Sequence, residues 1–326
     1  EGEGAAGSTG LPVAAPAAPS PSISSRSSAM AQPQEQSPVK GFLGLRCCCS
    51  SGQDRHEAMD SMGTAVLSDE KLTPAPAPKV EQPAKVVEEE LVERPETQVE
   101  AGARYKGQWK GTQCHGHGRL SRPDGSWYEG SFANGRAHGF GKFMATNGNV
   151  YEGQWDQDRA HGHGKYVHED GSTYEGEWSQ DEKCGQGVER WADGSQYEGE
   201  FLHGSKHGKG TYKSSVGVVV FQGQFSHDKM DGEGTYSFAD GRTYIGQWHH
   251  GHMHGEGMME WPDGSKYKGG YKKDLRQGEG ALTWPDGRQY RGQWVNGKQE
   301  GNGVMVDSAG AETPGRWRNG AQVPAS

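Results

Sequence analysis

The 326-residue chain reads as an all-β protein: an elongated, curved, single-sheet antiparallel meander of hairpin repeats behind a disordered N-terminal tail. Three observations carry that reading. An aromatic residue returns every 23 residues, its neighbours alternate with the period of two that a strand imposes, and Asp-Gly pairs stand where the chain must turn. Composition agrees. With 53 glycines and 31% hydrophobic residues the chain cannot fill a thick core, whereas stacked repeats pack mainly on their neighbours.

Taking the first aromatic as position 0, units begin at Tyr105, Tyr128, Tyr151, Tyr174, Tyr197, Phe221, Tyr244, Tyr267 and Tyr290, with a worn tenth at Thr313. In the first strand Tyr151, Gly153 and Trp155 share one face and Glu152 and Gln154 the other. In the second, Gly162, Gly164 and Tyr166 share parity, and the bulky residue recurs as Leu120, Phe143, Tyr212, Tyr236, Met259, Leu282 and Met305. Glycine inside a strand marks a close approach, so the broad rings are expected to lie over bare backbone. Asp124-Gly125, Asp170-Gly171, Asp193-Gly194, Asp240-Gly241, Asp263-Gly264 and Asp286-Gly287, with Asn147-Gly148 as a variant, supply turns that need positive φ. Two strands per unit at about 4.8 Å spacing make nine units a ribbon on the order of 90 Å long.

The pattern Tyr-x-Gly-x-Trp, Gly-x-Gly, Asp-Gly at this period resembles the MORN (membrane occupation and recognition nexus) repeat over about residues 105–320. Junctophilins, plant phosphatidylinositol phosphate kinases, radial-spoke head proteins and apicomplexan cytoskeletal proteins contain such repeats. The resemblance implies a curved β meander that acts as a scaffold or recognition surface, and it implies no single reaction.

Residues 1–103 form the expected tail, with Pro-Ala alternation from Thr73 to Pro78, serine runs and an acidic stretch near Glu88. Lys85 to Arg94 reads as a solvated acidic linker, with one or two helical turns as the alternative. Residue 1 is Glu and Met30 is the first methionine, so Met30 is the expected start, and the stretch before it lacks the apolar core of a signal peptide. Cys47, Cys48 and Cys49 follow Phe42, Leu43 and Leu45, which resembles an S-acylation site; two acyl chains anchor stably where one is marginal. Adjacent cysteines lack the gap that thiolate metal sites favour. The array fills residues 104–320, and 321–326 form a C-terminal tail.

The net charge of −9 is concentrated in the tail: residues 1–100 hold 15 acids and 8 bases, leaving 28 and 26 for the rest. A near-neutral array excludes nucleic acid as a partner. Cys114 and Cys184 stand three repeats apart and are expected as reduced thiols in loops. Histidine recurs before the first glycine of Gly-x-Gly as His115, His138, His161, His207 and His254, where successive units are about 10 Å apart, too far to share an ion. Within a unit, His161 with His163, or His252 with His254, can approach one another. No P-loop, calcium loop, hydrolase, kinase or zincin motif is found, so no catalytic, cofactor or metal residue is expected. At Ser214 to Phe221 the Asp-Gly turn is replaced and one residue is added, which predicts a bulge and a bend, or an adhesive surface at Val218 to Val220. The regular turn is also lost at Asp307 to Gly310, and the last unit acts as a cap.

The expected function is a non-enzymatic scaffold or adaptor. Tyr128, Tyr151, Trp155, Tyr174, Trp178, Tyr197, Tyr244, Trp248, Tyr267 and Trp294 would line a groove for a protein partner, a helical segment being the favoured kind, while the acylated tail holds the chain at a membrane. Most of each ring is expected to pack on neighbouring glycines. The second reading is anionic-phospholipid binding through Lys266, Lys268, Lys272, Lys273 and Arg276, and the third is the non-catalytic repeat part related to a phosphatidylinositol 4-phosphate 5-kinase. The expected location is cytoplasmic and membrane-associated, with cytoskeletal or ciliary addresses as further options.

Overall fold

The computed structural model describes residues 90–324, and the expectations for the tail before residue 90, Cys47, Cys48 and Cys49 included, lie outside them. The described chain is all-β apart from one 3-10 turn at Glu100–Gly102, and it divides into two compact units after Arg159. The first unit holds β1 (Val92–Gln98), β2 (Arg104–Lys110), β3 (Gln113–Ser121), β4 (Trp127–Ala133), β5 (Arg136–Met144) and β6 (Val150–Asp156). β7 (Arg159–Val167) begins at the division, and the second unit continues with β8 (Thr173–Ser179), β9 (Glu182–Arg190), β10 (Gln196–Leu202), β11 (Ser205–Lys213) and β12 (Val219–Ser226). There follow β13 (Lys229–Ser237), β14 (Thr243–His249), β15 (His252–Glu260), β16 (Lys266–Lys272), β17 (Leu275–Thr283), β18 (Gln289–Val295), β19 (Lys298–Val306), β20 (Glu312–Arg318) and β21 (Ala321–Val323). Within each unit every strand pairs antiparallel with its sequence neighbour.

The glycines do what the pattern implied. Gly107 and Gly118 face each other across the β2–β3 ladder, and a Cβ on Gly118 would meet the Tyr105 hydroxyl oxygen. Position 0 rings are thus seated on bare backbone, each fully buried from Tyr105 to Tyr290. The hydroxyl then reaches past the ring to the carbonyl three residues on: Tyr128 to Ser131 at 2.9 Å, Tyr151 to Gln154 at 2.8 Å, Tyr244 to Gln247 at 2.9 Å. Burial pushes the Tyr128, Tyr197, Tyr244 and Tyr267 phenols well above their ordinary value, so they remain donors.

The position 4 ring stands edge-on to the position 0 ring of its own repeat and of the one before. Tyr244 meets Trp248 at 5.2 Å and Tyr271 at 5.2 Å; Tyr267 meets Tyr271 at 5.3 Å and Trp294 at 5.1 Å. Edge-to-face pairs of this kind add about 0.5–1.5 kcal/mol beyond burial. Trp155, Trp178, Trp248 and Trp294 also donate Nε1–H to a glycine carbonyl one hairpin back, Trp155 to Gly141 at 3.0 Å and Trp294 to Gly280 at 3.1 Å. The first glycine of Gly-x-Gly makes a bulge. Gly116, at φ 61, leaves room for the Gln108 side chain, whose Oε1 accepts the His117 N–H at 2.9 Å.

Two kinds of turn alternate. At Asp124-Gly125 only the glycine has positive φ (92°), while the carboxylate accepts the Ser126 N–H at 2.9 Å. The turns with positive φ at both central residues join the two strands of one repeat instead, at His250-Gly251, Lys273-Asp274 and Asn296-Gly297 among others. They stack on the preceding hairpin: Asp158 N–H donates to the Ala137 carbonyl, and Ala137 N–H donates back to the Asp158 carboxylate at 2.8 Å.

The expected tail boundary at residue 103 is corrected. Val92–Gln98 is neither solvated linker nor helix; it pairs with β2, from Val92 opposite Trp109 to Gln98 opposite Arg104, because β2 otherwise leaves an open row of backbone groups. Pro95 falls where the register shifts, so its missing N–H costs no ladder bond. At the other end Ala321–Val323 is strand β21 against β20, not tail. The turn at Asp307 is kept, with Asp307 N–H donating to Ala311 and Gly310 N–H to Asp307. Ser214 to Val218 likewise keeps the standard frame with Gly217 in the positive-φ place, and the added residue lies just after it, where the register shifts between Lys213 opposite Val219 and Tyr212 opposite Phe221. Cys114 and Cys184 are reduced thiols, but they sit in β3 and β9 rather than in loops.

Candidate recognition surface

The ten aromatics expected to line a groove are the interior of the sheet. Tyr128, Tyr151, Tyr174, Tyr197, Tyr244 and Tyr267 are fully buried, and Trp155, Trp178, Trp248 and Trp294 are 2–6% exposed. Their faces are used on glycine backbone and on one another, so none is presented to a partner.

A different row on the same face is accessible. Position 15 and position 17 residues stand beyond the buried rings, and in the second unit Trp191, Tyr212, Tyr236, Phe238, Trp261 and Trp284 are half-buried. Trp191 and Tyr212 lie 5.7 Å apart, and Tyr236 and Phe238 lie 4.6 Å apart. Cations border them: Lys206 Nζ is 5.1 Å from the Trp191 ring, the Arg242 guanidinium 4.6 Å from Phe238 and that of Arg288 5.7 Å from Trp284. Sequence reading missed this row because Trp191, Phe238, Trp261 and Trp284 open loops and fall outside the Tyr-x-Gly-x-Trp pattern. Their own period, 23 residues from Phe238 to Trp261 to Trp284, was the signal available.

One member of the bulky series is an acid. Glu189 occupies position 15 of its unit, with Lys183 Nζ 2.5 Å and Lys206 Nζ 3.4 Å from its carboxylate. Burial opposes ionisation, yet the two ammonium groups outweigh it and hold the Glu189 carboxyl below the ordinary carboxylate range. The lysines in turn lie over rings, Lys183 over Tyr174 at 4.9 Å.

The expected basic cluster is split. Lys266, Lys268 and Lys272 are exposed on the face of β16 opposite the rings, with Lys266 Nζ bonded to Glu260 at 2.8 Å, and Lys273 is in the turn. Arg276 is on the ring face, its guanidinium 4.1 Å from Trp294 and donating to the Gly297 carbonyl at 2.8 Å. The recurring histidine position has a local task as well. Its side chain reaches the next turn: His115 Nδ1 accepts the Asn134 N–H at 3.3 Å, and Gln277 and Glu300 serve Asn296 and Asn319 in the same way. His252 and His254 do not meet; His252 Nδ1 is 2.7 Å from Asp274, and His254 faces His249.

The MORN-repeat family model matches nine consecutive segments from residue 105 to residue 312. The chain belongs to the MORN-repeat family. Membership makes it a repeat array of the scaffold or membrane-binding class. No curated protein matches the chain. Among solved structures, the TCP10 domain of Danio rerio CPAP in complex with a Danio rerio STIL peptide is 17% identical, with 71% of this chain and 98% of that chain covered and a TM-score of 0.34. The TCP domain of Drosophila melanogaster SAS-4 in complex with a proline-rich motif of Ana2 is 10% identical over 55% of this chain and 85% of that one, with a TM-score of 0.28. Virginiamycin B lyase from Staphylococcus aureus is 11% identical over 69% and 84%, with a TM-score of 0.15. None of these likenesses bears on what this MORN chain does.

Proposed function

We propose that this MORN chain is a non-enzymatic adaptor whose second unit binds a protein segment laid across the strands. The half-buried row from Trp191 to Trp284 carries the reading. Large rings with few rotatable bonds are the usual anchors of interfaces, and here they are already fixed by the sheet beneath them. Position 17 rings two strands apart repeat at about 9.6 Å, close to one three-residue turn of extended polyproline-type chain at roughly 9.3 Å and shorter than a helical heptad at about 10.5 Å. An extended segment therefore fits the row better than the helix favoured from sequence. The test is a selection of peptide ligands on the intact chain, followed by titration of Trp261→Ala and Trp284→Ala variants that keep their circular dichroism. Binding should weaken tenfold or more in the variants; ligands that bind both equally sink the proposal.

Two finer points belong to the same proposal. Tethering rests on Cys47, Cys48 and Cys49, and hydroxylamine-sensitive acyl exchange in cells should label the native chain and not a triple serine variant. The address follows from that tether: a cytoplasmic face of a membrane. Phospholipid binding remains the second reading because Lys266, Lys268 and Lys272 share one exposed face of β16. Sedimentation of the chain with anionic vesicles, abolished by changing those three to Glu, would favour it over the peptide reading.

A further inference from the structure

In the second unit one hairpin differs from all its equivalents. Strand β14 ends at His249, the turn is His250-Gly251, and Asp231 of the adjacent β13 stands beside both. Consecutive residues of a strand point to opposite faces. His250, with φ 51, has left the extended conformation, so its ring swings to the side of His249, the two centroids 4.1 Å apart. Both Nδ1 atoms then point at one oxygen: Asp231 Oδ2 is 3.5 Å from His249 Nδ1 and 3.6 Å from His250 Nδ1.

We propose that Asp231, His249 and His250 form a binding site for a divalent transition-metal ion of the zinc type. One donor atom from each residue already lies within 4.8 Å of the others. Bonds of about 2.0–2.2 Å in tetrahedral geometry require donors roughly 3.3–3.5 Å apart, so the Asp–His separations of 3.5 and 3.6 Å lie at or just beyond that range before any ion enters. Two imidazoles and a carboxylate are borderline ligands that suit zinc and disfavour calcium and magnesium, which take oxygen. The same Asp231 oxygen accepts the His250 N–H at 3.0 Å, a bond that fixes the carboxylate against the turn as an outer hydrogen bond fixes a metal ligand. Three protein donors leave one position of a tetrahedron open. Asp231 and His249 also line a cleft of about 500 Å³ with Glu233, Trp248 and His254, and His254 lies 5.6 Å from His249 as a further imidazole.

The other hairpins show why this one is singular among the described residues. His138 meets Asp156, His203 meets Glu182 and His252 meets Asp274, each one imidazole with one carboxylate. His207 and His227 approach at 5.9 Å, but the metal-ligand geometry groups no carboxylate with them. The open position gives the site a use: a histidine or carboxylate from a bound segment can complete the coordination.

The experiment is a Zn²⁺ titration of the full chain carrying Cys47, Cys48 and Cys49→Ser, which removes the thiol cluster as a competing sink. One equivalent should bind with micromolar affinity. His249→Gln and Asp231→Asn should each weaken it tenfold or more, the asparagine oxygen still accepting the His250 N–H so that the turn survives, while His138→Gln leaves it unchanged. Binding no tighter than millimolar, or affinity retained in either His249→Gln or Asp231→Asn, overturns the site.

Discussion

Phe221 is the only position 0 ring of the nine matched repeats without a hydroxyl, and its neighbourhood measures what that hydroxyl does. Gly223 and Gly234 close on its Cζ as their equivalents close on tyrosine. Changing Phe221 to Tyr should therefore place a donor at the Gln224 carbonyl and stabilise the chain by about 0.5–1.5 kcal/mol, whereas Tyr151→Phe should cost a similar amount. Urea melts of the two variants check the opposed signs. Glu189 predicts a pH effect. Its folded pKa is depressed, so its contribution is fully present above the ordinary carboxylate pKa and is lost as pH falls through the folded value. Glu189→Gln should be less stable than the parent at neutral pH, and the gap should shrink on acidification below about pH 4.5. A gap that stays constant between pH 7 and pH 3 would contradict the ion-triad account.

At the scale of the element, β1 covers the edge of β2, and Arg94 reaches across to donate to the Gly111 carbonyl at 2.7 Å while its guanidinium lies 5.0 Å from the Trp109 ring. Deleting residues up to 98 should leave β3 to β6 protected in amide exchange and speed exchange in β2, whose Arg104, Tyr105, Gly107, Gln108 and Trp109 lose their β1 partners. Equal protection in both chains would mean that β1 is ornamental. Strand order, strand faces and glycine seats were all legible because each is a repeating local rule. Two things were not. Val92–Gln98 carries no alternation, every residue of it is exposed, and it is a strand only because β2 needs a partner. The accessible aromatics were misassigned because period alone gives parity, and both the buried Trp178 and the half-buried Trp191 have the parity of the ring face. Which of two rows is covered depends on ring packing between repeats, which no single repeat encodes.

Within each unit, contacts run from each hairpin to the next, so damage should stay where it is made. Trp294 touches Tyr267 and Tyr290 and bonds to Gly280. Trp294→Ala should cost about 3–5 kcal/mol locally, seen as faster amide exchange in β16 to β19 with β8 to β10 unchanged. Uniform loss of protection would instead indicate a single cooperative body. Sheet edges of this kind carry a hazard that β1 in the first unit and β21 in the second address. An uncovered strand is a template on which another chain can add, and addition repeated head to tail grows a fibre. β1 presents Glu93, Arg94, Pro95 and Glu96 along its run, and β21 is three residues long. Charge and an imino acid on β1, and brevity on β21, make each a poor seed for self-assembly, so neither strand invites another chain to add to its unit.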